Sequence, residues 1–178
     1  RFVAATTKLI VGDPTKSETQ LGPLVSAGQR ASVEEFLADA RKHGTQFGCG
    51  GKRPSAKGFY LEPTVLLDVD KSTRCWREEI FGPVLSILPY DSVDEAVSIA
   101  NDTPYGLTNY VQSQDGAKRN KFARKLRSGM VEMNGTSRGR GAPFGGMKAS
   151  GQGREGGIWG IEDFLEVKAV SGWSSDDA

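Results

Sequence analysis

The chain has 178 residues, of which 37% are hydrophobic and 25% are charged, as in ordinary soluble globular proteins. Its net charge of +1 provides no attraction to nucleic acid or to an anionic membrane surface, so neither partner is expected. No apolar run reaches the roughly 18 residues that a membrane-spanning helix needs, so no membrane insertion is expected either.

The first half of the chain predicts helices and short strands. Residues 1–9 have apolar side chains at helical spacing and look like the last turns of a helix. Ser26 and Gln29 form a capping-box pattern that opens an amphipathic helix, which Gly44 ends. Short strands are expected near residues 45–49 and 64–67. The buried stripe of the helix comprises Val33, Phe36, Leu37 and Ala40.

The second half alternates strands and helices. A buried strand is predicted at residues 84–88, and Ser92 with Glu95 opens a helix that runs to about Asn101. A strand at 106–113, a helix from Asp115 to Arg127 and a strand at 130–134 follow. This alternation predicts an α/β fold, with right-handed crossovers and a mostly parallel sheet covered by helices on both faces.

Residues 135–157 are rich in glycine, and they contain the letters G-x-G-x-x-G at 151–156. A dinucleotide-binding loop needs a strand before this motif and an acidic residue ending a second strand about 20 positions later. Residues 147–150 form no strand, and the sequence runs out a few residues beyond the required acidic position, so the glycines are expected to allow close backbone packing. The stretch from Leu165 to Val170 alternates apolar and polar residues like a half-exposed strand, and residues 174–178 are expected to be a frayed tail.

Two residues before the strand at 84–88 are candidates for contact with a ligand. In an extended segment, the side chains of Glu79 and Phe81 point to the same side. A carboxylate can accept hydrogen bonds from two neighbouring sugar hydroxyls, and an aromatic ring can pack on a flat heterocycle. The alternative is a solvated carboxylate followed by an aromatic residue that leads into a buried strand.

A second group of candidates follows the strand at 130–134. Asn134 lies at its carboxyl end, where open α/β sheets bind ligands, and Phe144 follows the next loop. Arg138 and Arg140 lie in that loop, where a guanidinium could bind a substrate carboxylate, although loop arginines are more often solvated. Glu132, within the strand, leaves two alternatives open: it faces solvent on an exposed face of the sheet, or it belongs to an altered ligand pocket beside the strand.

Several motifs together resemble the C-terminal half of the aldehyde dehydrogenase superfamily. They are VGDP at 11–14, LGPL at 21–24, EEIFGPV at 78–84, PFGGMKASGQGREGG at 143–157 and EVK at 166–168, and they cover almost the whole chain. The resemblance implies oxidation of an aldehyde to a carboxylic acid by NAD(P)+ through a cysteine thioester. The family's Gly-Gln-x-Cys nucleophile motif and its glutamate base are expected upstream of residue 1, so this chain would carry no catalytic residue and would be inactive alone.

The resemblance also assigns roles to residues. Glu79 would bind the nicotinamide ribose and Phe81 the nicotinamide of NAD or NADP, which would be held mainly by a domain absent from this chain. Asn134, Arg138 and Phe144 would belong to the aldehyde pocket. Residues 1–163 would be a portion of the catalytic domain, and residues 164–173, including the segment from Leu165 to Val170, an oligomerisation strand that joins a neighbouring subunit.

The two cysteines, Cys49 and Cys75, form neither a metal-binding spacing nor a redox pair, and neither lies in a Gly-Gln context. Both are expected to be inert thiols, no metal is expected, and a reducing, cytoplasmic setting is the default. A different class of function stays open: a non-catalytic module that docks to a full-length relative through its terminal strand.

Overall fold

A computed structural model of the chain describes residues 1–55 and 57–174. The chain divides into two units, Arg1–Tyr90 and Asp91–Ala178, and each is described here by itself. The catalytic-domain portion predicted for residues 1–163 extends over both units.

Within its described residues, 1–55 and 57–90, the first unit contains three helices and three strands: α1 (Phe2–Thr6), α2 (Ala27–Lys42), β1 (Gln46–Cys49), β2 (Thr64–Leu67), α3 (Arg74–Arg77) and β3 (Val84–Ile87). In its sheet β2 lies between β1, which is antiparallel to it, and β3, which is parallel. The prediction of a buried strand at 84–88 was wrong in part. Leu85 is 48% exposed, because β3 lies at an edge of this sheet.

Helix α2 forms as its sequence predicts. Ser26 Oγ accepts a hydrogen bond from the backbone N of Gln29 at 3.0 Å, which satisfies one of the free donors at the helix start. Gly44 follows the helix with φ of +73°, a conformation that glycine adopts at little cost. The predicted buried stripe is confirmed, and it packs against a hydrophobic cluster that includes Leu61, Leu66, Val69 and Cys75.

The second unit contains α4 (Val93–Asn101), β4 (Thr108–Val111), α5 (Gly116–Lys125), β5 (Met130–Met133) and α6 (Gly157–Glu162). Strands β4 and β5 pair in parallel, and α5 connects them, as the alternation predicted. Asp115 Oδ1 caps α5 by accepting from the backbone N atoms of Ala117 and Lys118. The helix ends at Lys125 and not at Arg127 as predicted.

Two polar side chains fasten the helices of the second unit. The amide of Asn101, at the end of α4, donates to Lys125 O at 2.9 Å and accepts from Arg127 N at 2.7 Å. Lys148 Nζ donates to Asn101 O and Thr103 O at 3.1 and 2.9 Å. A positive charge is favourable at a helix C-terminus, so Lys148 satisfies the last carbonyl of α4 and one just beyond it, and ties the glycine-rich stretch to the helix end.

The glycine-rich stretch packs by direct backbone contact. A Cβ atom at Gly129 would lie 1.7 Å from Gly145 O, and one at Gly145 would lie 2.2 Å from Gly153 O, so neither position can hold a side chain without movement of backbone. The predicted close packing is confirmed at Gly145 but not at Gly151, the first glycine of the G-x-G-x-x-G letters, where a Cβ atom would have no neighbour within 4 Å. A short 3₁₀ turn (Lys148–Ser150), and no strand, precedes the G-x-G-x-x-G letters.

The C-terminal segment differs from its prediction. Among the described residues, 164–170 form no strand and pair with none, and Val167 is fully exposed. A strand needs a neighbour for its backbone hydrogen bonds, and the single chain offers this segment none. Pairing with a neighbouring subunit stays a prediction. Of the predicted frayed tail, only residue 174 is described, and it is exposed; residues 175–178 lie outside the described residues.

The predicted α/β class is confirmed. Within the described ranges, two of the three strand pairs are parallel, and α5 forms the crossover of the β4–β5 pair. The single parallel sheet of the prediction is replaced by a three-stranded and a two-stranded sheet. Across residues 1–55 and 57–174, every helix is too short or too polar to cross a membrane.

Candidate functional site

Glu79 and Phe81 lie in the first unit, directly after α3, and both are exposed. The preceding Glu78 is paired with Arg74, with 2.9 Å between Oε1 and Nε, and this hydrogen bond lowers the pKa of Glu78. Glu78 is therefore engaged within the chain, whereas the carboxylate of Glu79 faces solvent. The first unit thus presents one free carboxylate beside an exposed ring.

Phe81 does not have the extended backbone that the sequence suggested. Its φ is +53°, in the left-handed region, which costs an ordinary L-residue roughly 1–2 kcal/mol. The residue is nevertheless 74% exposed, so burial of its ring does not repay this cost. Phe81 therefore keeps this conformation without the compensation that burial of its ring would supply.

Helix α2 supports this segment at three points. Gln29 Nε2 donates to Phe81 O at 2.9 Å. Gly82 lies against Val33, so closely that a Cβ atom would be 2.6 Å from Val33 Cγ2. Asp39 Oδ2 accepts from the backbone N of Arg74 at 2.9 Å and so caps α3 from another helix. No local pattern predicts the contacts of Asp39 and Gln29, because their partners lie 35 and 52 positions away.

Asn134 lies at the carboxyl end of β5 in the second unit, as predicted. Its φ is +53°, which asparagine tolerates better than most residues. Its side-chain amide binds the backbone of Ser113 twice, accepting from Ser113 N at 2.9 Å and donating to Ser113 O at 3.1 Å. Asn134 therefore joins the segment after β4 to the start of the loop after β5.

Arg138 and Phe144 come together at the other end of that loop. The guanidinium carbon of Arg138 lies 5.3 Å from the centre of the Phe144 ring, within the range of a cation–π contact. Arg138 Nη1 also donates to Ala142 O at 2.9 Å. Phe144 exchanges two backbone hydrogen bonds of 2.7 Å with Glu155, which fixes the end of the loop.

Two grooves flank this pair. One, of about 570 Å³, is lined by β5, including Glu132, and by residues of the following loop, including Arg138. The other, of about 420 Å³, is lined by Phe144, Leu107, Phe164 and residues of the glycine-rich stretch. Glu132 is half-buried and shares the first groove with Arg138, so this groove carries groups of both charges. Arg140 is exposed.

The cysteines offer no nucleophile. Cys75 is buried, and burial raises the pKa of its thiol to about 11, so it is almost wholly protonated at neutral pH. Cys49 is half-buried, with its Sγ 3.8 Å from Pro63 O. His43 caps α2 and its Nδ1 lies 2.9 Å from Asp39 O. Among residues 1–55 and 57–174, there is no cluster of three or more His, Cys, Asp or Glu side chains able to hold a metal ion.

Known proteins resemble this chain along nearly its whole length. A 3-succinoylsemialdehyde-pyridine dehydrogenase of a Pseudomonas species is 44% identical over 169 residues, which are 93% of this chain and 35% of that protein. A solved aldehyde dehydrogenase of Bartonella henselae is 45% identical with a TM-score of 0.86, covering 96% of this chain and 37% of the other. A mutant of aldehyde dehydrogenase C of Pseudomonas syringae, solved with NAD+ and octanal, is 44% identical with a TM-score of 0.87, covering 97% and 36%.

The chain thus spans about a third of the length of the relatives it matches. The sequence pattern of the aldehyde dehydrogenase family matches residues 1–170. The motifs, the α/β fold and these similarities agree, and this chain belongs to the aldehyde dehydrogenase family.

Proposed function

We propose that the chain forms part of an NAD(P)-dependent aldehyde dehydrogenase, which oxidises an aldehyde to a carboxylic acid through a cysteine thioester. Family membership supports this proposal, and the observation that carries it is the exposed Phe81 ring on a left-handed backbone beside the free carboxylate of Glu79. The nucleophilic cysteine and the glutamate base would come from another part of the polypeptide, since neither cysteine here has the environment of a nucleophile.

The cofactor would be NAD or NADP, and the residues after α3 fit it. The carboxylate of Glu79 would accept hydrogen bonds from the two ribose hydroxyls, and the ring of Phe81 would pack on the nicotinamide. When bound, the cofactor accepts a hydride from the substrate. The part of these two side chains is to orient its reactive ring, which is how positioning lowers a reaction barrier.

The aldehyde would lie along the loop that follows β5. Phe144 would form an apolar wall of the pocket, and Arg138 would line it with its guanidinium, held in place by the ring and by Ala142 O. Asn134 has both ends of its amide bonded to Ser113, so its part in the pocket would be to fix where the loop begins.

The protein would form a homo-oligomer through the segment from Leu165 to Val170. Val167 is fully exposed, and Leu165 and Val170 are 62% and 58% exposed. An extended segment with exposed apolar side chains and unpaired backbone groups is stabilised when it adds to the edge of another sheet. This exposure supports the proposal.

A substitution of Glu79 tests the function. In the full polypeptide that carries this chain, Glu79→Gln should weaken NAD(P)H binding roughly 10- to 100-fold, as expected for the loss of hydrogen bonds to a charged acceptor. Fluorescence titration with NADH and NADPH measures the affinity. Glu78→Gln is the matched control and should leave the affinity unchanged, because Glu78 is already paired with Arg74. Equal affinities in the parent and Glu79→Gln would remove Glu79 from the cofactor site.

The alternative function is a non-catalytic module that docks to a full-length relative through its terminal segment. The exposed apolar side chains within residues 164–170 support this alternative. Size-exclusion chromatography of the chain alone and with a full-length relative tests this; separate elution would count against docking.

In either case the purified 178-residue chain should oxidise no aldehyde with NAD+, and turnover in a spectrophotometric assay at 340 nm would contradict our assignment of the nucleophile.

A further inference from the structure

The side chain of Gln29 has an unexpected partner. In the capping-box pattern, this glutamine amide would return to the backbone at Ser26. Ser26 Oγ accepts from the backbone N of Gln29, but the amide Nε2 of Gln29 donates instead to Phe81 O, at 2.9 Å. The side chain is half-buried between α2 and the segment that follows α3. The helix start therefore does not depend on the Gln29 amide, which is used to hold Phe81.

The bond acts on a peptide group whose orientation matters. Phe81 has φ of +53°, and Gly82 is pressed against Val33. The direction of the Phe81 carbonyl is set by the backbone torsions on either side of it. A donor fixed on α2 that binds this carbonyl favours the left-handed conformation over the extended one, in which the carbonyl would point elsewhere. The Phe81 ring follows the backbone that carries it.

We propose that Gln29 is a positioning residue for the cofactor site: its hydrogen bond to the Phe81 carbonyl holds the ring where it packs on the nicotinamide. This inference rests on the proposed function, because it needs Phe81 to contact the cofactor. Gln29 acts through the backbone of Phe81 and needs no contact of its own with the ligand.

Two substitutions at Gln29 separate this role from a general effect on folding. Gln29→Glu keeps the size of the side chain and places an acid in the first turn of α2, where acids favour helices, but it replaces the donor with an acceptor. Gln29→Met also removes the donor and adds no charge. Gln46→Glu makes the same change of charge at an exposed position of β1 and is the control.

The readout is cofactor affinity in the full polypeptide, with thermal unfolding of each variant without cofactor. Both Gln29 variants should bind NADH about tenfold more weakly at about pH 8, the loss expected for one hydrogen bond. Their unfolding midpoints should stay within a few degrees of the parent. Hydrogen–deuterium exchange should rise in residues 80–84 of the cofactor-free variants and stay unchanged in Gln46→Glu.

The pH dependence gives a sharper criterion. Partial burial and a facing carbonyl oxygen both raise the pKa of a carboxyl, and the protonated form can donate again. The deficit of Gln29→Glu relative to the parent should therefore shrink between about pH 8 and about pH 5.5, whereas that of Gln29→Met should not.

Three results would overturn the inference. They are NADH affinity within twofold of the parent in both Gln29 variants, a deficit that does not depend on pH in Gln29→Glu, and a fall of many degrees in the midpoint of Gln29→Glu. If the unsubstituted protein binds neither NADH nor NADPH, the proposed function itself fails, and the inference fails with it. Binding in the parent that is weakened by Glu79→Gln but not by either Gln29 variant overturns only the inference.

Discussion

Truncation of Phe81 tests whether its backbone conformation serves a ligand or the fold. A buried phenylalanine side chain removes roughly 200 Å² from water, but Phe81 is 74% exposed and buries about a quarter of that. Phe81→Ala therefore exposes about 50 Å² and should cost about 1 kcal/mol at roughly 25 cal/mol per Å².

Phe81→Gly adds a test of the left-handed backbone. Glycine avoids the roughly 1–2 kcal/mol that an L-residue incurs at positive φ. It loses about 0.5–1 kcal/mol through the greater freedom of the unfolded chain. Phe81→Gly should therefore be as stable as Phe81→Ala or up to about 1.5 kcal/mol more stable, which is the reverse of the usual order.

Calorimetry of the 178-residue chain measures the stability of the two variants, with about 2–4 °C in midpoint for each kcal/mol. Titration of the full polypeptide with NADH measures cofactor affinity, and both variants should bind NADH more weakly than the parent. A loss of more than about 3 kcal/mol in Phe81→Ala would mean that the ring supports the fold. A glycine variant clearly less stable than the alanine variant would refute the left-handed conformation.

Two further predictions concern the core of the first unit. Leu37→Ala should lower the free energy of unfolding by about 2–5 kcal/mol in urea titration, because Leu37 is 1% exposed, whereas Leu85→Ala at the exposed edge should cost less than half as much. Cys75 should resist iodoacetamide at pH 8 in the folded chain and react in urea, and early labelling would contradict its burial. Since the folded state keeps the Cys75 proton above the ordinary thiol pKa of 9.0, stability should fall from about pH 9 to 11, and less so in Cys75→Ala.

The elements that the sequence predicts best are those with local signals. Helix α2 has its cap at Ser26 and a regular stripe of buried residues, and both lie within its own length. Strands β2 and β5 are short runs of mostly apolar residues between turns. In each case the information needed to fold the segment lies within a few positions of it.

The misses have partners that are distant in sequence. Helix α3 has no side-chain cap of its own, because the cap is Asp39 of α2. Helix α6 begins at Gly157 with Gly156 as its N-cap, both at positive φ, and residues of this kind do not predict a helix start. The exposure of Leu85 depends on which strands are neighbours in the sheet, which periodicity does not determine.

The candidate site was found in part. The sequence identified Glu79 and Phe81 as neighbours of an apolar strand, but the left-handed backbone at Phe81 and its bond to Gln29 depend on tertiary structure. It also identified Arg138 and Phe144, whose stacking depends on how the loop closes. The residue types alone indicated which side chains could bind a ligand. Their positions and conformations depend on contacts between parts of each unit that are distant in sequence.

The loop between Asn134 and Phe144 is anchored independently at both ends, by Ser113 at its start and by Glu155 at its finish. A segment tied down in this way can change its side chains without disturbing the pairing of β4 and β5. Under the proposed function, in which this loop lines the aldehyde pocket, mutations between the two anchors should alter which aldehydes are accepted while sparing folding. Natural variation and laboratory evolution of selectivity should therefore concentrate at residues 135–143.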